Sequence, residues 1–250
     1  MAGQIVDVDM ADDDLLPGWR TVIELADSGI SRHWTLVGGL MVDAHARRAS
    51  VVMPRPTEDV DVLVDYATNR SSLIEAQGAL RKIGFELSDS EYHAYRFKRF
   101  DGRKLDLMVA DHLPSRMEPR LGRRPAFSVP AGEQAIRRRD TYRLNFSGGQ
   151  TASLGVPDEL GALVAKGAAW LVDSRDRERH LDDGAVLFAC VGDASALDYA
   201  GMSKNDRKRI SALISHLTEA SHSSWIGLDA VARERGLLSL MLMRQAIGLT

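Results

Sequence analysis

Apolar and polar positions follow two different rhythms in the two halves of this chain. In the first half, short apolar or alternating runs predict strands. These cover His33–Val37, which ends at Gly38-Gly39, then Val60–Val64, Phe85–Leu87, Ala94–Phe100 and Lys104–Val109. The last two flank Asp101-Gly102 and read as a β-hairpin. Three helices are predicted among them. Pro17 opens the first, which carries Trp19, Val22, Ile23, Leu25 and Ala26 and stops near Gly29. Leu40–Arg48 leaves the glycine pair as the second, and Ser71 or Ser72 caps a third through Arg81, ending at Gly84. Pro54 and Pro56 keep the approach to Val60 extended. From Asp158 onward the period becomes helical, over Asp158–Val172, His180–Val191, Lys204–Glu219 and Leu228–Ala246.

The expected fold class is therefore α+β, with a small mixed-sheet core flanked by helices over residues 15–113 and a helical domain over 156–250. Residues 114–155 read as a basic connector with room for one hairpin, carrying Arg116, Arg120, Arg123, Arg124, Arg137, Arg138 and Arg139. Residues 1–14 read as a frayed acidic tail in which Asp12–Asp14 is solvated.

A net charge of -3 gives no whole-chain case for nucleic-acid binding, so any such surface must be local. Cys190 stands alone in an apolar run and reads as a small buried hydrophobe, without a disulfide framework. The acidic N-terminus is the reverse of a signal peptide's basic one, and no apolar run is long enough to span a membrane. A soluble cytoplasmic protein is expected.

Asp59-Val60-Asp61 carries the chemistry. Residues i and i+2 of a strand share a face, so Asp59 and Asp61 project together while Val60 and Val62 enter a core. Two adjacent carboxylates need positive charge between them, and a hard cation such as Mg²⁺ or Mn²⁺ with oxygen ligands supplies it. Asp106, alternating with Leu105 and Leu107, faces the same way if the hairpin lies beside that strand. Three such carboxylates suit metal-assisted phosphoryl chemistry, and a glycine turn lets backbone approach a phosphate. His45, one helical face from Met41, reads as a satisfied structural histidine rather than a lining of the site. His93 and His112 lack metal-ligand spacing and read as loop residues, and neither a G-x-S-x-G elbow, a P-loop nor a dinucleotide fingerprint is present.

Gly38-Gly39, Arg55-Pro56-Thr57-Glu58-Asp59-Val60-Asp61 and Asp106 together resemble the nucleotidyltransferase superfamily of polymerase-beta-type fold. The form R-x-T-x-D-h-D is similar to the AbiEii-like toxins of bacterial toxin–antitoxin systems. A later lysine helix followed by Arg and an acidic helix fits Lys166, Arg175, Arg177 and Arg179-His180-Leu181-Asp182-Asp183, with His180 in place of the first acid. The resemblance covers residues 18–190 and implies transfer of NMP from an NTP to an acceptor, with pyrophosphate leaving and the NTP in a cleft between core and helical domain.

In that scheme Asp59, Asp61 and Asp106 hold the metals, and Asp106 also helps deprotonate the acceptor. Gly38 and Gly39 approach the triphosphate, Arg55 and Thr57 donate to phosphate oxygens, Lys166 neutralises the β/γ-phosphates, and Asp183 completes the nucleotide site. The connector arginines suit an RNA acceptor such as tRNA, and the toxin likeness implies an antitoxin partner. An aminoglycoside-type nucleotidyltransferase and a non-catalytic nucleotide-binding protein are the competing readings.

Overall fold

The computed structural model describes residues 3–10, 17–27, 33–55, 57–88 and 92–249. They gather into two compact units, one of residues 3–41 and 57–157, the other of 42–56 and 158–249. Asp12–Asp14 and Gly29 lie outside the described residues.

The first unit is built on a mixed sheet. Its strands are β1 (Ile5–Met10), β2 (Trp34–Val37), β3 (Val60–Val64), β4 (Phe85–Leu87), β5 (Arg96–Arg99), β6 (Lys104–Ala110), β9 (Ser128–Val129), β10 (Arg139–Phe146) and β11 (Thr151–Pro157), while β7 (Arg120–Leu121) and β8 (Arg124–Pro125) form a separate hairpin. The order across the sheet is β1-β10-β11-β2-β3-β6-β5-β4, with β9 beside β6. The helices of this unit are α1 (Pro17–Asp27), α3 (Ser72–Lys82) and α4 (Gly132–Arg137), and α2 (Gly38–Arg48) begins in it. Leu36, Val60, Val62, Leu105 and Leu107 line one face of the central strands and are almost entirely buried. On the other face Val37, Leu63 and Met108 pack against Ala135 and Ile136 of α4, with Tyr95 and Val129 at the edge. Gly132 is needed there, because a Cβ would stand 2.7 Å from the Ala110 Cα.

Two expectations are corrected here. Ile5–Met10 is not part of a frayed tail: it pairs in parallel with β10. Val8 and Met10 are buried while Asp7 and Asp9 point to solvent, an alternation that a count of acidic residues hides. The charged outer face also blunts this edge strand against stray pairing. Residues 114–155 hold the expected hairpin, since β10 and β11 pair across the Ser147-Gly148-Gly149 turn, but they are not a connector, because β11 joins β2 in the sheet. Asp140, Tyr142, Leu144 and Phe146 alternate inward along β10, again a strand signal beneath the arginines. Of those arginines, Arg116, Arg120, Arg123 and Arg137 are exposed and Arg138 is buried. Arg124 donates to the Ser88 carbonyl at 2.6 Å and Arg139 to Thr35 Oγ1 at 3.3 Å.

The second unit is helical, with α5 (Glu159–Val172), α6 (Glu178–Cys190), α7 (Lys204–Leu217), α8 (Ser223–Ile226) and α9 (Ala230–Ala246). Its helices start where side chains satisfy free N–H groups: Asp158 accepts from Gly161, Ser203 and Asp206 form a capping box, and Asp229 accepts from Ala232. Trp225 is fully buried, donates from Nε1 to the Leu217 carbonyl at 2.9 Å, and leaves no room for a side chain at Gly236. Burial pushes the Cys190 thiol up to about 12, so it behaves as the expected hydrophobe. No helix among the described residues is long and apolar enough to cross a membrane.

Candidate active site

The glycine turn and the acidic strand interlock. β2 runs antiparallel to β3 with Val37 opposite Asp61, so the chain leaves β2 into α2 directly over the Asp61 carboxylate. Gly38 has φ +68, and a Cβ on it would lie 1.8 Å from Asp61 Oδ2. A Cβ on Gly39 would lie 2.5 Å from Thr57 Oγ1. Both glycines are therefore demanded by side chains of the T-x-D-x-D run, which is why the two motifs occur together. Gly38→Ala will cost about 1–3 kcal/mol for the left-handed backbone alone and will also displace Asp61. A thermal melt checks this, and an unaltered melting temperature would refute it.

β3 and β6 are parallel neighbours in which Asp61 pairs with Asp106. The two carboxylates thus leave the same face of the sheet from adjacent strands, above the Leu63–Met108 layer. Asp59 lies just ahead of β3 and is exposed, whereas Asp61 is half-buried and Asp106 is buried. Thr57 is half-buried beside Gly39. Arg55 is exposed and falls in the segment grouped with the helical unit.

Arg96 is the residue that sequence reasoning missed. It sits opposite Asp106 across the β5–β6 hairpin and grips it with both forks, Nε to Oδ1 at 2.9 Å and Nη2 to Oδ2 at 2.7 Å. These bonds to Asp106, and more weakly the field of Asp59, raise the Arg96 pKa above its ordinary value. The Asp101-Gly102 turn sets the register that makes this pair, so counting back from the turn could have found it. The next pair outward on the same face is Lys98 with Lys104, both exposed. The hairpin itself is anchored to α1, where Arg103 donates to Glu24 at 3.0 Å and to Thr21 at 3.2 Å.

The donors are right in kind for a hard cation: carboxylate oxygens, two of them register neighbours on one face. Arg96 holds the place of the positive charge they require. Among the described residues no group of three or more His, Cys, Asp or Glu side chains is gathered to hold a metal ion.

In the helical unit, Lys166 Nζ donates to Asp183 Oδ2 at 2.6 Å, with both side chains 6% exposed. His180 is buried beside them and its Nε2 lies 3.1 Å from Asp173 Oδ2. Burial first, then the Lys166 charge, lowers the His180 pKa, which favours the neutral imidazole. Gly167 brings α5 against α7, since a Cβ there would meet the Arg209 carbonyl at 2.2 Å. Lys166 is thus not a solvated helix lysine, and its immediate partner is Asp183.

No family model matches the chain, and no curated protein matches it. Among solved structures it is similar to the crystal structure of an antigenic nucleotidyltransferase-like protein from Paracoccidioides brasiliensis, with a TM-score of 0.52 and 16% sequence identity over 82% of this chain and 89% of that one. At that identity the likeness concerns the fold alone.

Proposed function

We propose that this protein is a metal-dependent nucleotidyltransferase, moving NMP from an NTP to an acceptor hydroxyl, with an RNA end such as that of tRNA as the acceptor, in the manner of AbiEii-type toxins. The observation that carries this reading is the register pairing of Asp61 with Asp106, on a face where Gly38 is shaped around Asp61. The fold likeness supports the general class.

Asp59, Asp61 and Asp106 would hold a divalent cation such as Mg²⁺, which when bound supplies Lewis-acid charge to phosphate oxygens. Asp106 takes the proton of the acceptor hydroxyl as its oxygen bonds to the α-phosphorus and the bond to the β-phosphate oxygen breaks, releasing pyrophosphate. For this, Asp106 must leave Arg96, whose freed guanidinium then suits a phosphate oxygen in bidentate fashion. Lys98 and Lys104 add charge for the triphosphate on the same face. The Gly38-Gly39 backbone and Thr57 approach phosphate from the turn.

Incubation of the protein with Mg²⁺ and each α-labelled NTP, with total tRNA or with an aminoglycoside as acceptor, tests the reading. Label in RNA and stoichiometric pyrophosphate, both abolished by EDTA, are expected. Label in the aminoglycoside alone would move the acceptor to a small molecule, and no transfer to any acceptor would overturn the enzyme reading.

A further inference from the structure

Beside the carboxylate face runs a chain of aromatic rings that nothing in the proposed chemistry uses. Tyr92 meets His93 edge-on at 4.9 Å, His93 meets Phe127 at 5.7 Å, and Phe127 meets Tyr95 at 5.2 Å between centroids. The Arg96 guanidinium lies 5.5 Å over the Tyr95 ring and reaches Asp106 with its fork. Tyr92, at one end, is 80% exposed, and Phe127, between His93 and Tyr95, is 36% exposed. The backbone at Phe127, Tyr95 and Ala94 is tied into the sheet, because Ala94 donates to the Pro125 carbonyl at 2.8 Å, Val109 to the Phe127 carbonyl at 3.0 Å, and Leu107 to the Tyr95 carbonyl at 2.8 Å. One large ring, Tyr92, thus stands in water at the end of a ladder leading to the site, and Phe127 shows a third of its surface farther along it. The β7–β8 hairpin immediately before Phe127 carries exposed Arg120 and Arg123.

We infer that Tyr92 and Phe127 are a stacking platform for unpaired bases of a single-stranded RNA, whose backbone the neighbouring arginines attract. Every base has a π-face and every nucleotide a phosphate, so exposed rings interleaved with positive charge fit single-stranded nucleic acid, while stacked duplex bases are closed to them. The inference rests on the nucleotidyl-transfer reading for the strand's role as acceptor, though binding itself needs neither NTP nor metal.

The test is fluorescence anisotropy of the full-length protein with fluorescein-labelled oligoadenylate and oligouridylate of about ten nucleotides, within the usual site size of such platforms, in EDTA without NTP. Tyr92→Ala and Phe127→Ala should each weaken binding about tenfold, the loss expected for one stacked base. Tyr92→Phe and Phe127→Tyr should retain it, and affinity for inorganic polyphosphate should not change in any variant. Tyr92→Ala alters only an exposed ring, so it remains informative if Phe127→Ala melts early. Single-strand binding unchanged in Tyr92→Ala, an equal loss for polyphosphate, or duplex RNA binding as tightly as the single strand would overturn the proposal. Asp61→Asn that still binds the oligonucleotide, combined with a wild type that transfers no label, would instead refute the catalytic reading and leave the platform standing.

Discussion

Asp61→Asn will lower nucleotidyl transfer by about 10²–10³-fold or more, the usual cost of removing one pre-organised group that meets charge at the reacting centre, and will leave the melting temperature near that of the wild type. The amide keeps the shape of the carboxylate, so it still fits the space that Gly38 leaves open by lacking a Cβ. What it loses is the negative charge that pairs with Asp106 across β3 and β6. Like-charge repulsion in the metal-free protein is smaller than Asp59 and Asp61 alone imply, because Arg96 already neutralises Asp106 in two directions. The substitution therefore changes stability little. Pyrophosphate release and transfer of labelled NMP, measured beside a thermal melt, separate the two effects. A variant that melts normally and turns over at more than about a tenth of the wild-type rate, far above the loss expected here, would remove Asp61 from the chemistry.

The acidic strand was legible because its information is local. Alternation over Val60–Val64 fixes which face Asp61 takes, and the Asp101-Gly102 turn fixes the β5–β6 hairpin. The parallel pairing of β3 with β6 involves residues more than forty positions apart, and nothing local specifies it. The same holds at the sheet's other side: β1 pairs with β10 over a separation no periodicity records. Charge misled twice for one physical reason. Asp7 and Asp9 read as a tail and Arg139 as a connector, when each stands on the outward half of an alternating strand. Arg96 shows the converse, since hairpin register alone pairs it with Asp106. Lys166 is a lone charge in an apolar stretch of sequence, and the Asp183 that answers it lies on the next helix.

Lys166→Met will destabilise the protein by about 3–5 kcal/mol, because it strands the Asp183 carboxylate in the interior without its cation. For a chain of this size each 1 kcal/mol moves Tm by about 2–4 °C, so the melt should fall by roughly 6–20 °C. The pair is 2.6 Å apart with both side chains 6% exposed, so solvent screens it little. The adjacent His180 cannot substitute for the lost charge cheaply, since burial favours its neutral form. Lys166→Met with Asp183→Leu removes both charges together and should recover most of the stability, as replacing whole buried pairs by apolar groups often does. That rescued protein separates structure from catalysis. If Lys166 acts on the NTP phosphates, the double variant will melt like the wild type yet show a raised KM for NTP and a lowered kcat, because its charge bears on ground and transition states alike. A stable double variant with wild-type KM and kcat would confine Lys166 to holding α5 against α6, and a single variant that melts with the wild type would deny it even that.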